Sequence, residues 1–437
     1  MNTARPLDCD LLVIGGGCAG FAAALSGARQ GLKVRLIEQS HKIGGVMAAC
    51  PGMPWGGGFP QARTVGGVFA ELCDALFSKQ PPAAEIRPCT LENFGHELIY
   101  DHEMATYVMF DMLEQAGVTV HLATIATQPH RGERNIQSVE CVDRAGHHRI
   151  HCRQLIDASG DGEVSARAGL PYTVGDNRGA MMAVTLSFHM LGVDIERAFA
   201  DGDPYFEKYA AKGIAAGQLH PDLAKLYLMR GFHNGDVFCN SVAIRGVDGT
   251  DPAAVAKATQ EGRRRIIQLA SFLRQSVPGF EQAQMREIGP MVGVRETRHF
   301  EAMYRLTHDD CATGRKFADG IVACDNPVDD VMRGDGAMTH DAAVQHGDYF
   351  TLPFRALVPT ALDNVLFAGR LISADPTAFA SIRGMPQCMI MGQAAGIAAA
   401  QALAHQHPNQ QFDTVQLIKT LTQQGVNRLH CPKDHAA

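Results

Sequence analysis

The 437-residue sequence predicts an α/β fold: a largely parallel sheet with an inserted antiparallel meander, and a second α+β domain spliced into the chain. Three observations predict it. Residues 9–38 read as strand, glycine-rich turn, helix, strand and acid. Strand patterns separated by polar turns occupy residues 118–156. From about Pro171 to Leu352 the chain lacks any such glycine turn and mixes strand-like with helical periods.

Cys9–Ile14 is a short apolar run bounded by glycines, the pattern of a buried strand. Gly15-Gly16-Gly17-Cys18-Ala19-Gly20 follows, then an Ala-rich helical stretch, Phe21–Gln30, with Gly31 at its C-terminal end. Lys33–Ile37 is a second strand ending on Glu38. This is the βαβ order of a Rossmann-type dinucleotide site. Gly15 permits the tight turn, Gly17 lets the backbone approach a pyrophosphate, and Gly20 lets helix and sheet pack closely. A diphosphate would sit on the free N–H groups at the helix start. Glu38 stands at the spacing expected for ribose hydroxyls.

Asp101–Gly117 carries apolar residues at helical spacing, and Val118–Leu122, Ile136–Val142 and Arg149–Ile156 read as strands with polar turns between them, a meander whose last strand re-enters the main sheet at Leu155–Ala158. Beyond Pro171, Met182–Met190 is strand-like, Ile195–Ala216 helix-rich, Ala253–Ser276 a long helix and Glu296–Leu306 strand-like.

Hydrophobic residues make up 46% and charged residues 19%, with a net charge of −7, which excludes a disordered chain. There is no basic tract, so nucleic acid is not the expected partner, and no apolar run approaches the roughly 20 residues of a membrane span. Twelve cysteines without a C-x-x-C pair argue against a zinc ribbon or thioredoxin-type motif. Met1–Asp10 lacks the apolar region of a secretory signal, so a cytoplasmic location is expected. No metal site is expected either: H-E-x-x-H is absent, and the cluster His147-His148-x-x-His151 falls in a predicted turn and strand.

Three distant segments extend the fingerprint. Ile43-Gly44-Gly45-Val46-Met47, Gln154–Asp161 and Asn364–Arg370 resemble the double glycine, the return strand and the last cofactor-contacting strand of two-dinucleotide-binding-domain flavoproteins. Gly392–Gly396 resembles the helix that starts under the flavin. With Arg295–Arg298, Leu352–Pro359 and Ser381–Pro386, the chain resembles the FAD-dependent oxidoreductase family of these glutathione reductase-like proteins. The resemblance implies FAD as cofactor. It implies an FAD-binding domain at 1–170 and 353–437 and a substrate or cap domain at 171–352. It implies cofactor contacts from Gly15, Gly17, Cys18, Ala19, Gly20, Glu38, Gln39, Gly44, Gly45, Val46, Ala126, Gly160, Asp161, Gly369, Arg370, Gln393 and Ala394. A helix start at Gly392–Ala394 would favour negative charge on the cofactor ring. Arg370 replaces the acid of many relatives and would meet a phosphate or fix a neighbouring carboxylate. Asp161 would bind the cofactor or cap the helix that begins near Gly162.

For the substrate, Arg295, Arg298, Arg355 and Arg383 lie in segments that resemble the flavin-facing half of the family, and a guanidinium binds a carboxylate with two parallel hydrogen bonds. Arg298 and Arg355 lead, with an internal salt bridge as the alternative for each. His299, His340 and His346 are candidate bases, and Tyr349 a candidate proton donor. Cys50–Gly58 holds the only Trp between glycines, the composition of a mobile flap or of a plain surface loop. No second G-x-G-x-x-G exists, so no separate NAD(P)H domain is expected. The expected activity is hydride transfer between a small polar, carboxylate- or amide-bearing substrate and the flavin, in a protein able to form homo-oligomers and with its electron acceptor open. A flavin monooxygenase and a non-catalytic flavin-binding sensor are the alternatives.

Overall fold

The computed structural model describes residues 7–428; residues 1–6 and 429–437, the two ends of the expected FAD-binding domain and part of the leader reading, lie outside the described residues. The chain opens with β1 (Leu7–Ile14), α1 (Cys18–Arg29) and β2 (Val34–Ile37), and β1 pairs in parallel with β2 from Leu11↔Val34 to Ile14↔Ile37. A helix, α2 (Gly67–Phe77), and a small antiparallel sheet of Trp55–Gly56, Ala84–Pro88 and His96–Tyr100 come next. Then α3 (His102–Gln115) begins under Asp101, whose carboxylate accepts from the N–H groups of Glu103 and Met104, a satisfied N-cap.

β3 (Thr119–His121) adds to the far edge of β2, and β4 (Ile125–Arg131), β5 (Ile136–Asp143) and β6 (Gly146–Asp157) form the expected antiparallel meander. The sequence reading missed β4, whose buried–exposed alternation is broken by Pro129. β6 is long enough to serve two pairings. Its first half lies antiparallel to β5, and its final residues return parallel to β1. The sheet order is β3-β2-β1-β6-β5-β4.

The inserted part has its own core. β7 (Val184–Leu191), β8 (Leu228–Arg230), β9 (Val237–Ile244) and α4 (Pro252–Ser276) are joined by β10 (Gln284–Ile288), giving an antiparallel sheet of order β8-β9-β7-β10. Leu186, Phe188 and Val242 of the sheet pack with Ile266, Leu269 and Leu273 of α4. This core spans residues 184–294. Leu306, Phe317, Ile321 and Phe350 pack instead into the main core, so the boundary drawn at Leu352 falls too late. The expected strand Glu296–Leu306 shortens to Arg298–Phe300, because Glu296 and Thr297 turn inward to polar partners. The helix-rich 195–216 breaks into Ile195–Ala198 and Glu207–Ala215.

β11 (Val365–Phe367) pairs in parallel with the end of β6, and α5 (Met385–His405) closes the fold. This helix starts at Met385, not at Gly392. Gly384 is its N-cap and Pro386 lies in its first turn, where a missing N–H costs nothing. Gly392 serves a crossing: a Cβ there would stand 1.9 Å from the carbonyl oxygen of Ala19, so α1 and α5 meet backbone to backbone. Among the described residues no helix is long and apolar enough to cross a membrane.

Candidate functional site

The glycine turn between β1 and α1 is built as its spacing implied. Gly15 adopts φ +94°, and a Cβ there would stand 2.6 Å from the carbonyl oxygen of Ala158 on the next strand. A Cβ on Gly20 would meet Gly15 O at 1.7 Å. Gly17 is the N-cap of α1, with no side-chain cap and no acid in the first turn, and pairs with Gly44 in a parallel bridge in which Gly44 N–H donates to Gly16 O at 2.7 Å. Glu38, 7% exposed, accepts from Gly16 N–H and from Ser40 N–H, each at 2.7 Å. Its carboxylate is thereby held beside the glycine turn. Thr124 N–H donates to Glu38 O at 3.0 Å, which brings the start of β4 and Ala126 to the same edge. Gln39 and Val46 are exposed beside it, and Cys18 Sγ lies 3.7 Å from Gly44 O.

A second set closes on this turn. A Cβ on Gly369 would stand 3.0 Å from Ala19 and 3.8 Å from Cys388 Sγ, so the end of β11 and the first turn of α5 both abut α1. Arg370 lies over Gly160 and its Nη1 donates to Asp161 Oδ1 at 3.0 Å, so of its two expected roles it fixes a neighbouring carboxylate. Asp161 does not cap the following helix, whose N-cap Gly162 has no side-chain partner; it also accepts from Thr297 Oγ1 at 3.1 Å.

Two expected contacts do not hold. Gln393 is 1% exposed, accepts from Val68 N–H at 3.0 Å and donates to Gln424 at 2.8 Å, tying α2 to α5, and Ala394 is fully buried in mid-helix. With α5 starting earlier, its uncapped N-terminus at Gly384–Gln387 takes the position given to residues 392–394. Uncapped N–H groups at two helix starts, glycines with no room for a Cβ and a buried carboxylate at the ribose position fit a dinucleotide.

The leading arginines are engaged and apart. Arg298 Nη1 donates to Asp161 O at 2.6 Å and its guanidinium lies 5.5 Å from the Tyr172 ring centre. Arg355 pairs with Asp319 at 3.4 Å and stacks over Tyr304 at 4.7 Å. Arg355 follows the salt-bridge alternative, whereas Arg298 holds a backbone carbonyl, with Glu163 3.9 Å away and neither Glu296 nor Asp309 as its partner. Tyr349 lies under the Lys316 ammonium at 4.4 Å, and His346 is exposed. His299 Nε2 meets Glu296 at 3.1 Å, and its Nδ1 is sealed without a partner.

The structure gathers a different set around Asp329. Arg383 Nη2 donates to Asp329 Oδ2 at 2.6 Å and to its carbonyl at 2.8 Å, and His340 Nε2 lies 3.3 Å from Oδ1. Burial would raise the Asp329 carboxyl, but Arg383, His340 and Arg295 hold it far below the usual carboxylate range. Arg295 Nη1 donates to Ala183 O and to Thr185 Oγ1, and burial, reinforced by Arg383, lowers it to about 10. Asp329 keeps 23% of its side-chain surface uncovered. Arg383 precedes the first turn of α5, whose Cys388 lies beside Gly369. Asp329 carried no signal in the sequence, since only the fold of its hairpin brings it to Arg383 and His340.

Cys50–Gly58 is not a mobile flap. Trp55 is fully buried, its ring 4.3 Å from that of Tyr100 and 5.7 Å from that of Phe69. Pro51 O accepts from His189 Nε2 at 2.6 Å, and Gly57 O accepts from Gln387 Nε2 at 2.5 Å. The glycines permit close approach to neighbours rather than motion. Cys50 is buried and its thiol is pushed up by that burial. Among the described residues no group of three metal-ligating side chains is close enough to hold an ion.

Comparison with known proteins bears on this site. A 51-residue stretch is 45% identical to 4-oxocyclohex-2-ene-1-carboxylate 5-dehydrogenase of Sinomonas cyclohexanicum, covering 12% of this chain and only 9% of that protein's length. Among solved structures, a geranylgeranyl bacteriochlorophyll reductase-like protein from Thermoplasma acidophilum is 13% identical, with 97% of this chain and 85% of that one covered and a TM-score of 0.48. For p-nitrophenol 4-monooxygenase PnpA from Pseudomonas putida DLL-E4 the values are 12%, 92%, 82% and 0.45. The family model described as FAD dependent oxidoreductase matches residues 10–421, from β1 to beyond α5. The chain belongs to the FAD-dependent oxidoreductase family.

Proposed function

We propose that this FAD-dependent enzyme is of the dehydrogenase or oxidase type and takes its electrons from a small, polar, carboxylate-bearing molecule. The reading rests on one observation: Arg383 grips the Asp329 carboxylate just before the start of α5, and the buried guanidinium of Arg295 adds its charge to the same group, which keeps 23% of its side chain uncovered. Two guanidiniums against one carboxylate leave a surplus positive charge, which a substrate carboxylate neutralises with paired hydrogen bonds. FAD, when bound, supplies the hydride-accepting chemistry. The residues supply the rest. Glu38 and the turn at Gly15–Gly20 hold the nucleotide, the first turn of α5 presents N–H groups to its other end, and the arginines orient the substrate. The glutathione reductase-like grouping is supported by the fingerprint, the acid at β2 and the meander that returns to the main sheet.

The test is anaerobic bleaching of the flavin by a panel of small carboxylates, repeated with Arg295→Lys and Arg383→Lys. Lysine keeps charge but loses the fork, so kcat/KM should fall on the order of tenfold to a hundredfold with FAD content unchanged. Unchanged kinetics in both variants would refute the anchor. Reduction that requires NAD(P)H and is accelerated by substrate would favour a monooxygenase instead.

A further inference from the structure

We infer that His340, oriented by Asp329, is the proton acceptor of the reaction, a step that rests on the substrate site just described. Asp329 and His340 are opposite one another in an antiparallel hairpin, Val328–Val331 against Met338–Asp341. Directly opposed residues in such a pair hold their Cβ atoms about 5 Å apart, so the hairpin presets the 3.3 Å approach of Nε2 to Oδ1. The carboxylate draws a proton to Nε2 and leaves Nδ1 as the basic nitrogen. Nδ1 of His340 has no partner among the described residues and, unlike that of His299, is not sealed. Asn93 Nδ2 donates to the His340 carbonyl at 2.8 Å, and the rings of Phe94 and Tyr227 stand 5.8 Å from the imidazole, fixing its plane.

The neighbouring ionisable groups are poor proton acceptors. Guanidiniums are cations at neutral pH, Arg383, His340 and Arg295 keep Asp329 ionised, and burial pushes the Cys50 thiol up, so it stays protonated. Burial pushes the Tyr227 phenol well up, so it stays protonated. His340 is left.

The step balances as a two-electron oxidation. A substrate C–H bond breaks with its electron pair going to hydrogen, a hydride that FAD, when bound, would accept. The O–H or C–H bond on the adjacent atom breaks, its electrons closing the new double bond, and its proton passes to Nδ1 of His340. Asp329 is a positioning residue. The arginines hold the substrate's carboxylate while the proton leaves at the other end.

The experiment uses the FAD-loaded protein. Benzoate serves as a dead-end probe, with its affinity read from the flavin spectrum or by thermal shift. Single-turnover flavin reduction is followed with a carboxylate that bleaches the wild type, or otherwise with any metabolite that does. His340→Ala should keep FAD and bind benzoate within about threefold of wild type, while reduction slows on the order of a hundredfold or more. Added imidazole should restore a saturable part of the rate. Asp329→Asn should slow reduction without such rescue. Normal reduction in His340→Ala, a matching loss of benzoate affinity, or the absence of imidazole rescue would each overturn the assignment. Benzoate that binds neither wild type nor variant, with imidazole rescue intact, would refute the carboxylate site and leave His340 as the base.

Discussion

His189 is a buried cation, and its removal has a pH signature. Its Nδ1 lies 2.8 Å from Asp236 Oδ1 and its Nε2 2.6 Å from Pro51 O, with side-chain exposures of 4% and 3% for the His–Asp pair. Both partners only accept hydrogen bonds, so both ring nitrogens must donate, which only the imidazolium can do. Burial opposes that charge, but the hydrogen bond and charge of Asp236, then Pro51 O and Glu287, raise the group above its ordinary value. A raised folded-state pKa contributes stability that is complete below the unfolded value of about 6.5 and is lost as pH rises through the folded one. His189→Gln leaves Asp236 buried with at most one donor, a cost of about 3 kcal/mol at low pH. For a chain of this length about 1 kcal/mol moves Tm by about 1 °C, so the variant should melt about 3 °C lower at pH 6. Scanning calorimetry from pH 6 to 9 should show that gap shrinking as wild type loses its charge. A gap constant across the range would mean that native His189 is neutral, and the reasoning would fail.

Two more predictions follow from the cofactor side. Glu38→Arg should release FAD on dialysis, because it removes the ribose acceptor together with the hydrogen bonds to Gly16 and Ser40; full retention of the visible spectrum would refute its role. Gly392→Val should force α1 and α5 apart, since its Cβ would stand 1.9 Å from Ala19 O. It should yield protein with little FAD and a loss of about 3 kcal/mol or more by denaturant titration, whereas stability unchanged within error would show that the seam gives way.

What was legible in the sequence was local. The βαβ unit announces itself because glycine turn, helix period and terminal acid all fall within thirty residues. The helices expected at Asp101–Gly117 and Ala253–Ser276 were likewise local signals, and the structure places them at His102–Gln115 and Pro252–Ser276. What stayed hidden depended on partners distant in the chain. Trp55 reads as a loop residue until Tyr100 and Phe69 cover it. Arg295, Arg298, Arg355 and Arg383 are equivalent in sequence, and only the fold sends Arg383 to Asp329, Arg295 to Ala183 O and Thr185, Arg298 to Asp161 O and Arg355 to Asp319. Gly392 was read as a helix start when its hydrogen atom is needed for a crossing seven residues inside the helix.

That crossing explains how one chain couples two distant motifs. α5 meets the parts around the dinucleotide turn twice: at its first turn, where Cys388 lies beside Gly369, which itself abuts Ala19, and at Gly392 against Ala19. A helix rises about 1.5 Å per residue, so the two contacts are about 6 Å apart on a rigid rod. Arg383 stands immediately before that rod, and Cys388 Sγ donates back to the Arg383 carbonyl at 3.5 Å. The distance from the glycine turn to the start of α5, and so to Arg383, is therefore set by backbone, not by side-chain rotamers. Asp329 and His340 sit on a separate hairpin, tied to the rod through Arg383. On the proposed assignment, changes on the hairpin and the inserted sheet would alter substrate choice while the α1–α5 seam keeps the cofactor end in register, so substitutions there should leave FAD content unchanged.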